Sequence, residues 1–216
     1  MDDIFAALRQ RRSIRAFDRR MPPRTLIAEC LEAATWAPSA TNQQPWEFIV
    51  LTGPALEAVN AITEEKFFER VQATNAFGDP PEPLKSQQQE VLSTMISTAE
   101  KAGINPNEIF EQSLRFFDAP VAVYFVSHQD TDNQYLLSTA AALENFLLAT
   151  HAKGLGTCWL TVTVICAEDI KKHLAIPDNR KLLGGVALGY PAADAPMNCF
   201  VRNRASVEEV TRWLGF

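Results

Sequence analysis

At 216 residues, with 47% hydrophobic and 21% charged positions, the chain has the length and composition of one globular domain with a substantial core, which excludes disorder. A formal net charge of −6 and a pI near 5.2, with no basic stripe along the chain, argue against a surface that tracks nucleic acid. No uncharged run approaches the ~20 apolar residues that span a bilayer, and the start Met1-Asp2-Asp3-Ile4 is acidic where a secretory leader is basic, so a cytoplasmic protein with no membrane partner is expected.

Asp3 to Arg12 reads as a helix with Ile4, Phe5 and Leu8 on one face, acidic at its start and basic at its end, as the macrodipole favours. Beyond it the local charge reverses. Arg11, Arg12, Arg15, Arg19 and Arg20 concentrate cations in an acidic chain, and guanidinium forks suit phosphate oxygens. A solvated face is the ordinary reading of any single one of them; the run with Ser13 between apolar positions points to a small phosphorylated ligand. Pro22-Pro23 announces a second helix with Leu26, Ile27, Cys30, Leu31 and Ala34 at helical spacing, which Pro38 ends. A polar loop from Ser39 to Pro45 leads into Trp46 to Leu51, whose aromatic and β-branched content reads as a strand closed by Gly53-Pro54.

From Ala55 to Phe117 the pattern is helical but broken, by Gly78-Asp79-Pro80-Pro81-Glu82-Pro83 and again from Gly103 to Pro106. One domain over 1–216 is expected, with a helical, lid-like segment at about 64–117. Ala119 to Val126 is a continuous apolar run of buried-strand length. Asn133 to Lys153 is a long, nearly uncharged helix ended by Gly154; apolar most of the way round, it belongs in the core or in a dimer interface. Gly156 to Ile165 alternates small, aromatic and β-branched residues, Ala167 to Leu174 is a short helix, and Lys181 to Tyr190 is a glycine-punctuated strand. After Arg202-Asn203-Arg204, Ser206 and Glu209 stand at capping-box spacing ahead of a last helix through Trp213. The class is α+β.

Several engines are absent. The chain has no G-x-S-x-G elbow, no P-loop and no H-E-x-x-H. Cys30, Cys158, Cys166 and Cys199 form no C-x-x-C pair and the three histidines have no ligand spacing, so no metal is expected. Gly154-Leu155-Gly156 follows a helix, not a strand, and has no third glycine, so no Rossmann unit is present. What remains is a phosphate-ready cluster, an amide-rich loop and a glycine turn. Together they suit a flat phosphorylated heterocycle: arginines and Ser13 on the phosphate, Asn42 and Gln44 on ring or ribityl atoms, the Gly156 amide near the ring edge. That Asn42 and Gln44 only satisfy loop backbone stays open.

Arg11-Arg12-Ser13-Ile14-Arg15-Ala16-Phe17, Pro38 to Phe48, Gly154-Leu155-Gly156-Thr157-Cys158-Trp159 and Arg202-Asn203-Arg204, in that order, resemble the FMN-dependent nitroreductase family. The resemblance weakens from about Phe67 to Phe117. It implies a nitroreductase-like fold, a mixed or antiparallel central sheet flanked by helices, in an intertwined homodimer with FMN at the subunit interface. By this likeness Arg11, Arg12, Ser13 and Arg15, with Arg202 and Arg204, hold the phosphate and ribityl chain. Pro38, Ser39, Ala40 and Asn42 arrive from the second subunit, with Gln44 near the pyrimidine side. Leu155 and Gly156 lie against the isoalloxazine, one backbone N–H directed at N5. Alanine stands at position 40, where the family often has serine, so no hydroxyl contact is expected there.

The implied chemistry is the cofactor's, with no catalytic side chain required. NAD(P)H would deliver hydride to the flavin and leave, and a nitroaromatic, quinone or similar flat small-molecule acceptor would follow in the same place, a ping-pong cycle. Three alternatives stay open. One is reductive dehalogenation of an iodotyrosine-like ligand, for which charges at Glu64, Glu65, Lys66, Glu69 and Lys85 would have to grip a zwitterion; the others are a non-enzymatic FMN carrier and a flavin-free anion-binding module.

Overall fold

The computed structural model describes residues 2–74, 80–82 and 84–216. Four strands, β1 (Trp46–Thr52), β2 (Val121–His128), β3 (Gly156–Leu160) and β4 (Arg180–Gly189), form a sheet in the order β1-β2-β4-β3, and each strand pairs antiparallel with its neighbours. The apolar run that reads as a buried strand is β2, an interior strand. Its Val121, Val123 and Phe125 point to one face of the sheet and its Ala122, Tyr124 and Val126 to the other, all fully buried. Side chains alternate across a strand, so burial on both faces accounts for the unbroken apolar run from Val121 to Val126.

Helices α2 (Arg24–Thr35) and α6 (Gln134–Ala152) cover the first face, where Ile27, Cys30 and Ala34 meet Leu143, Phe146 and Leu147. They run antiparallel, with Lys153 Nζ 2.6 Å from Glu29 and Asn145 Nδ2 donating to the Ala33 carbonyl at 3.5 Å. Helices α3 (Gly53–Thr74), α4 (Leu84–Lys101), α5 (Pro106–Ser113) and α7 (Ala167–His173) cover the second face, through Val59, Phe67, Ala99, Ile109 and Ile170. Arg70 ties α3 to α7 by two 2.8 Å bonds to the Asp169 carboxylate. The lid-like stretch therefore contributes core residues. Its Gly103 break appears, with φ +70° and Asn105 capping α5; of the earlier break, Gly78, Asp79 and Pro83 lie outside the described residues.

Two helices are shorter than the sequence pattern predicts. The first, α1, spans Asp2–Gln10 rather than reaching Arg12. From there the chain leaves to bridge the edge of β3, Ser13 opposite Thr157 and the Ile14 N–H on the Thr157 carbonyl at 2.8 Å. Ladder bonds and the burial of Ile14 replace helical bonds. The last helix, α9 (Val207–Val210), forms the expected capping box between Ser206 and Glu209 but stops before Trp213. Val207, Val210, Trp213 and Leu214 are exposed, and without a packed face so short a helix does not propagate.

Glycines in β4 and β3 permit two close approaches. A Cβ on Gly156 would lie 2.7 Å from Cγ1 of Ile14, and one on Gly185 would lie 2.5 Å from the ring of fully buried Phe116. Replacing Gly185 with valine is expected to destabilise the fold by about 3 kcal/mol through overpacking and to lower the thermal midpoint by roughly 6–12 °C. An unchanged midpoint would show that Phe116 yields.

Candidate functional site

The turn out of α1 puts the arginines on the outside of the β3 edge, and the C-terminal segment comes back to meet them. α8 (Pro196–Cys199) holds Asn198, only 5% exposed, whose Oδ1 accepts from the N–H groups of Arg15 at 2.8 Å and Ala16 at 3.0 Å while its Nδ2 donates to the Ala16 carbonyl at 2.9 Å. Arg12 donates to the Phe200 carbonyl, and Arg202 Nη2 donates to the Arg9 carbonyl at 2.6 Å. Arg15 lies over the Phe200 ring, 5.3 Å from its centroid, and donates to the Ser13 carbonyl at 3.1 Å. Arg204 donates to the Asn203 carbonyl at 2.7 Å. The structure thus brings the predicted arginines of both ends together.

Their partners are mostly neutral. Among the described residues Arg12, Arg15, Arg202 and Arg204 donate to carbonyls and form no ion pair, while Arg11 has one carboxylate nearby, Glu144 Oε1 at 3.5 Å from Nε. That distance gives an ion pair without a hydrogen bond, and Arg11 Nε is buried with no hydrogen-bonding partner. Burial, followed by the charges of Arg204, Arg12 and Arg11, holds the Arg202 guanidinium below its ordinary value. An orphaned donor amid mutually repelling cations is the donor set that a phosphate completes, so the residues fit the phosphate end of FMN.

His151, on the last turn of α6, stands in the same field. Burial first, then Arg11 and Arg202, push its imidazole below 6.5. Because the folded state binds the proton less readily than the unfolded chain, the stability this group contributes is complete above pH 6.5 and is lost as pH falls through the lowered value. Denaturant unfolding from pH 8 to 5 is expected to show this fall in the FMN-free protein, and His151→Asn to flatten it. Equal slopes in the two proteins would remove His151 from the cluster.

The amide-rich loop is built differently. Past α2 the chain runs toward the N-terminal half of α6 and enters β1, where Trp46 lies opposite Ser127. Thr41, Asn42 and Gln44 have φ of 47°, 59° and 48°, and Ser39 Oγ accepts from the Gln44 N–H at 3.0 Å. Pro38, Ser39, Ala40, Asn42 and Gln44 therefore gather toward the end of α6 away from His151, and among the described residues no side-chain hydrogen bond or ion pair joins them to the arginines within one chain. Gly154, at φ +74°, ends α6 with the Leu155 N–H on the Thr150 carbonyl at 2.9 Å, a left-handed stop. Leu155 is buried and Gly156 begins β3 beside Ile14, next to the arginine segment.

Sequence reading missed several of the residues that shape this region. A groove of about 710 Å³ lies between α4 and residues 201–205, with Gln87, Val91 and Thr94 on one wall and Arg202 and Arg204 on the other. Asn198 and Glu144 carry no signal in the sequence, and His151 is legible there only as a histidine without metal-ligand spacing, because nothing local marks an isolated polar residue that meets its partners only in the fold. Charges in the lid-like stretch largely serve one another: Lys66 Nζ lies 2.8 Å from Glu65 and 3.9 Å from Glu69, and Glu64 is 3.0 Å from Arg115. Among the described residues no group of His, Cys, Asp or Glu is placed to hold a metal, and no helix is long and apolar enough to cross a membrane.

A nitrobenzene nitroreductase of Ectopseudomonas oleovorans is 27% identical to this chain, over 99% of it and 96% of that protein. A 4-nitrobenzoate reductase of Nocardioides sp. (strain LMS-CY) is 28% identical, over 98% and 88%. Among solved structures, the FMN and NADPH-dependent nitroreductase NfnB of sphigopyxis sp. strain HMH superposes with a TM-score of 0.84 at 26% identity, covering 99% of each chain. Arg202 and Arg204 fall after the span that the family's sequence model matches. That span, residues 8–190 of the Nitroreductase family model, runs from inside α1 to the end of β4, and the chain belongs to the nitroreductase family.

Proposed function

We propose that this protein is an FMN-dependent oxidoreductase that uses NAD(P)H to reduce nitroaromatics, quinones or similar flat acceptors in a ping-pong cycle. The observation that carries the reading is the cluster of Arg11, Arg12, Arg202 and Arg204, joined from both ends of the chain and left short of carboxylates. Full-length likeness to proteins named as nitroreductases supplies the reaction class. When bound, FMN supplies the hydride and electron chemistry. The chain's residues do the rest: the arginines and Ser13 anchor the phosphate, Leu155 and Gly156 lie against the ring, and the groove wall of α4 covers it as the lid-like part of the single domain. Because Glu64, Glu65, Lys66 and Glu69 pair with one another or with Arg115, a flat neutral acceptor suits the site better than a zwitterion.

The protein acts as a homodimer in this reading. Leu137, Ala141, Glu144, Leu148 and His151 recur along α6 at spacings of four and three, a seam suited to a second helix, and Leu137 is 69% exposed. Such a partner would bring Pro38, Ser39, Ala40, Asn42 and Gln44, remote from the arginines in one chain, to the FMN of the other. Four free cysteines support a cytoplasmic setting.

Anaerobic stopped-flow of FMN-loaded protein tests the reading. NADH or NADPH is expected to bleach the flavin band and nitrobenzene, or a quinone, to restore it. A band that neither nucleotide bleaches would leave a carrier, and failure of the protein to take up FMN would overturn the reading altogether.

A further inference from the structure

Glu144 stands where a phosphate-binding cluster has least use for it. It projects from the middle of α6, the one carboxylate within ion-pair distance of the five arginines at the site among the described residues. Within one chain its side chain is 45% exposed while that of Arg11 is 19% exposed, so the carboxylate lies on the outer side of the cluster, along the α6 seam, and the cation lies deeper. The contact is 3.5 Å to Nε, the atom left without a hydrogen bond. A carboxylate meant to orient the Arg11 fork would bond it two-fold, as Asp169 does Arg70 at 2.8 Å. The ion pair at Glu144 supplies charge without fixing geometry.

We propose that Glu144 is an internal counter-anion for the empty site: it neutralises Arg11 when no phosphate is present and opposes the phosphate when one arrives, so that it sets FMN affinity from outside the contact shell. The inference rests on the phosphate reading given above. Its logic is Coulombic. Like charges gathered at Arg11, Arg12, Arg202 and Arg204 repel one another, and Arg202 is held below its ordinary value first by burial and then by its three neighbours. One nearby negative charge relieves that in the FMN-free protein, and the same charge repels a phosphate of nearly two negative charges held by the same arginines. A single carboxylate therefore stabilises the apoprotein and weakens the holoprotein, and a neutral isostere reverses both.

The test compares wild type with Glu144→Gln and Glu144→Asp, using FMN, riboflavin and inorganic phosphate as probes. Glu144→Gln is expected to lower the thermal midpoint of the FMN-free protein by roughly 2–4 °C and to tighten FMN binding by about 3- to 10-fold at low salt. The gain should shrink as salt screens it. Riboflavin, which lacks the phosphate, should bind both proteins alike, and Glu144→Asp, which keeps the charge, should stay near wild type. Weaker or unchanged FMN binding in Glu144→Gln, or an equal gain for riboflavin, would overturn the proposal, as would an undiminished apoprotein midpoint. Inorganic phosphate separates the two readings. If wild type binds no FMN the functional reading fails, and the stabilisation by phosphate, larger in Glu144→Gln or not, still decides the role of Glu144.

Discussion

Arg204→Ala is expected to emerge from purification with much less flavin than wild type, and Arg11→Ala likewise. Each removes a charge-assisted contact worth about 1.5–3 kcal/mol, which corresponds to roughly 10- to 150-fold in Kd for FMN. The stability of the empty protein discriminates a ligand role from a structural one. Arg204 is exposed and, among the described residues, donates only to the neighbouring Asn203 carbonyl, and its charge bears unfavourably on Arg202. Its removal should leave the thermal midpoint of the FMN-free protein unchanged or slightly raised. Flavin content, read from the visible band against the protein band, and a fluorescence titration of the apoprotein measure both effects. Wild-type flavin occupancy in both variants would remove the phosphate from this cluster.

Asn198→Ala should be the most damaging single change near the site. Its side chain accepts two backbone N–H groups, from Arg15 and Ala16, and donates to the Ala16 carbonyl. Alanine leaves all three without that partner where the side chain was 5% exposed. At about 1–3 kcal/mol for each buried group so stranded, and allowing for water to reach some of them, a loss of about 3 kcal/mol is expected, or roughly 6–12 °C in the thermal midpoint. FMN affinity should fall with it, since Arg15 and Arg202 belong to the two segments that Asn198 joins. Asn198→Asp keeps the oxygen that accepts both N–H groups, loses the donor and adds a negative charge beside the cations. It should be less destabilised than the alanine variant and still retain FMN poorly. An alanine variant with the parental midpoint would show that this junction is held by other contacts.

Much of the framework was legible because its signals are local or periodic. The run from Ala119 to Val126 reads as a strand buried on both sides since it has no polar alternation, and β2 lies between two helical layers. The glycine that ends α6 and the capping box of α9 were visible from residue type and spacing alone. Element ends were less so. α1 gives up Arg11 and Arg12 because residues 13 and 14 find partners on β3, and those partners lie more than a hundred residues away. α9 stops early because nothing in the described chain covers its apolar side chains. Neither competition leaves a mark in a local window.

The candidate site divides along the same line. Residue types alone announced the cations and the glycine turn, because a fork of donors and a left-handed stop are properties of single side chains and their immediate neighbours. That Arg11 meets Glu144, that Asn198 staples residues 15 and 16, and that α4 walls a groove against Arg202 and Arg204 follow from the packing of α1, α4 and α8 around the sheet. Composition and periodicity determined an α+β chain carrying an anion-seeking cluster near each end. Only the tertiary structure decided that the two clusters are one, because like charges come together only where burial and backbone hydrogen bonds outweigh their repulsion, and those contacts exist only once the chain has folded.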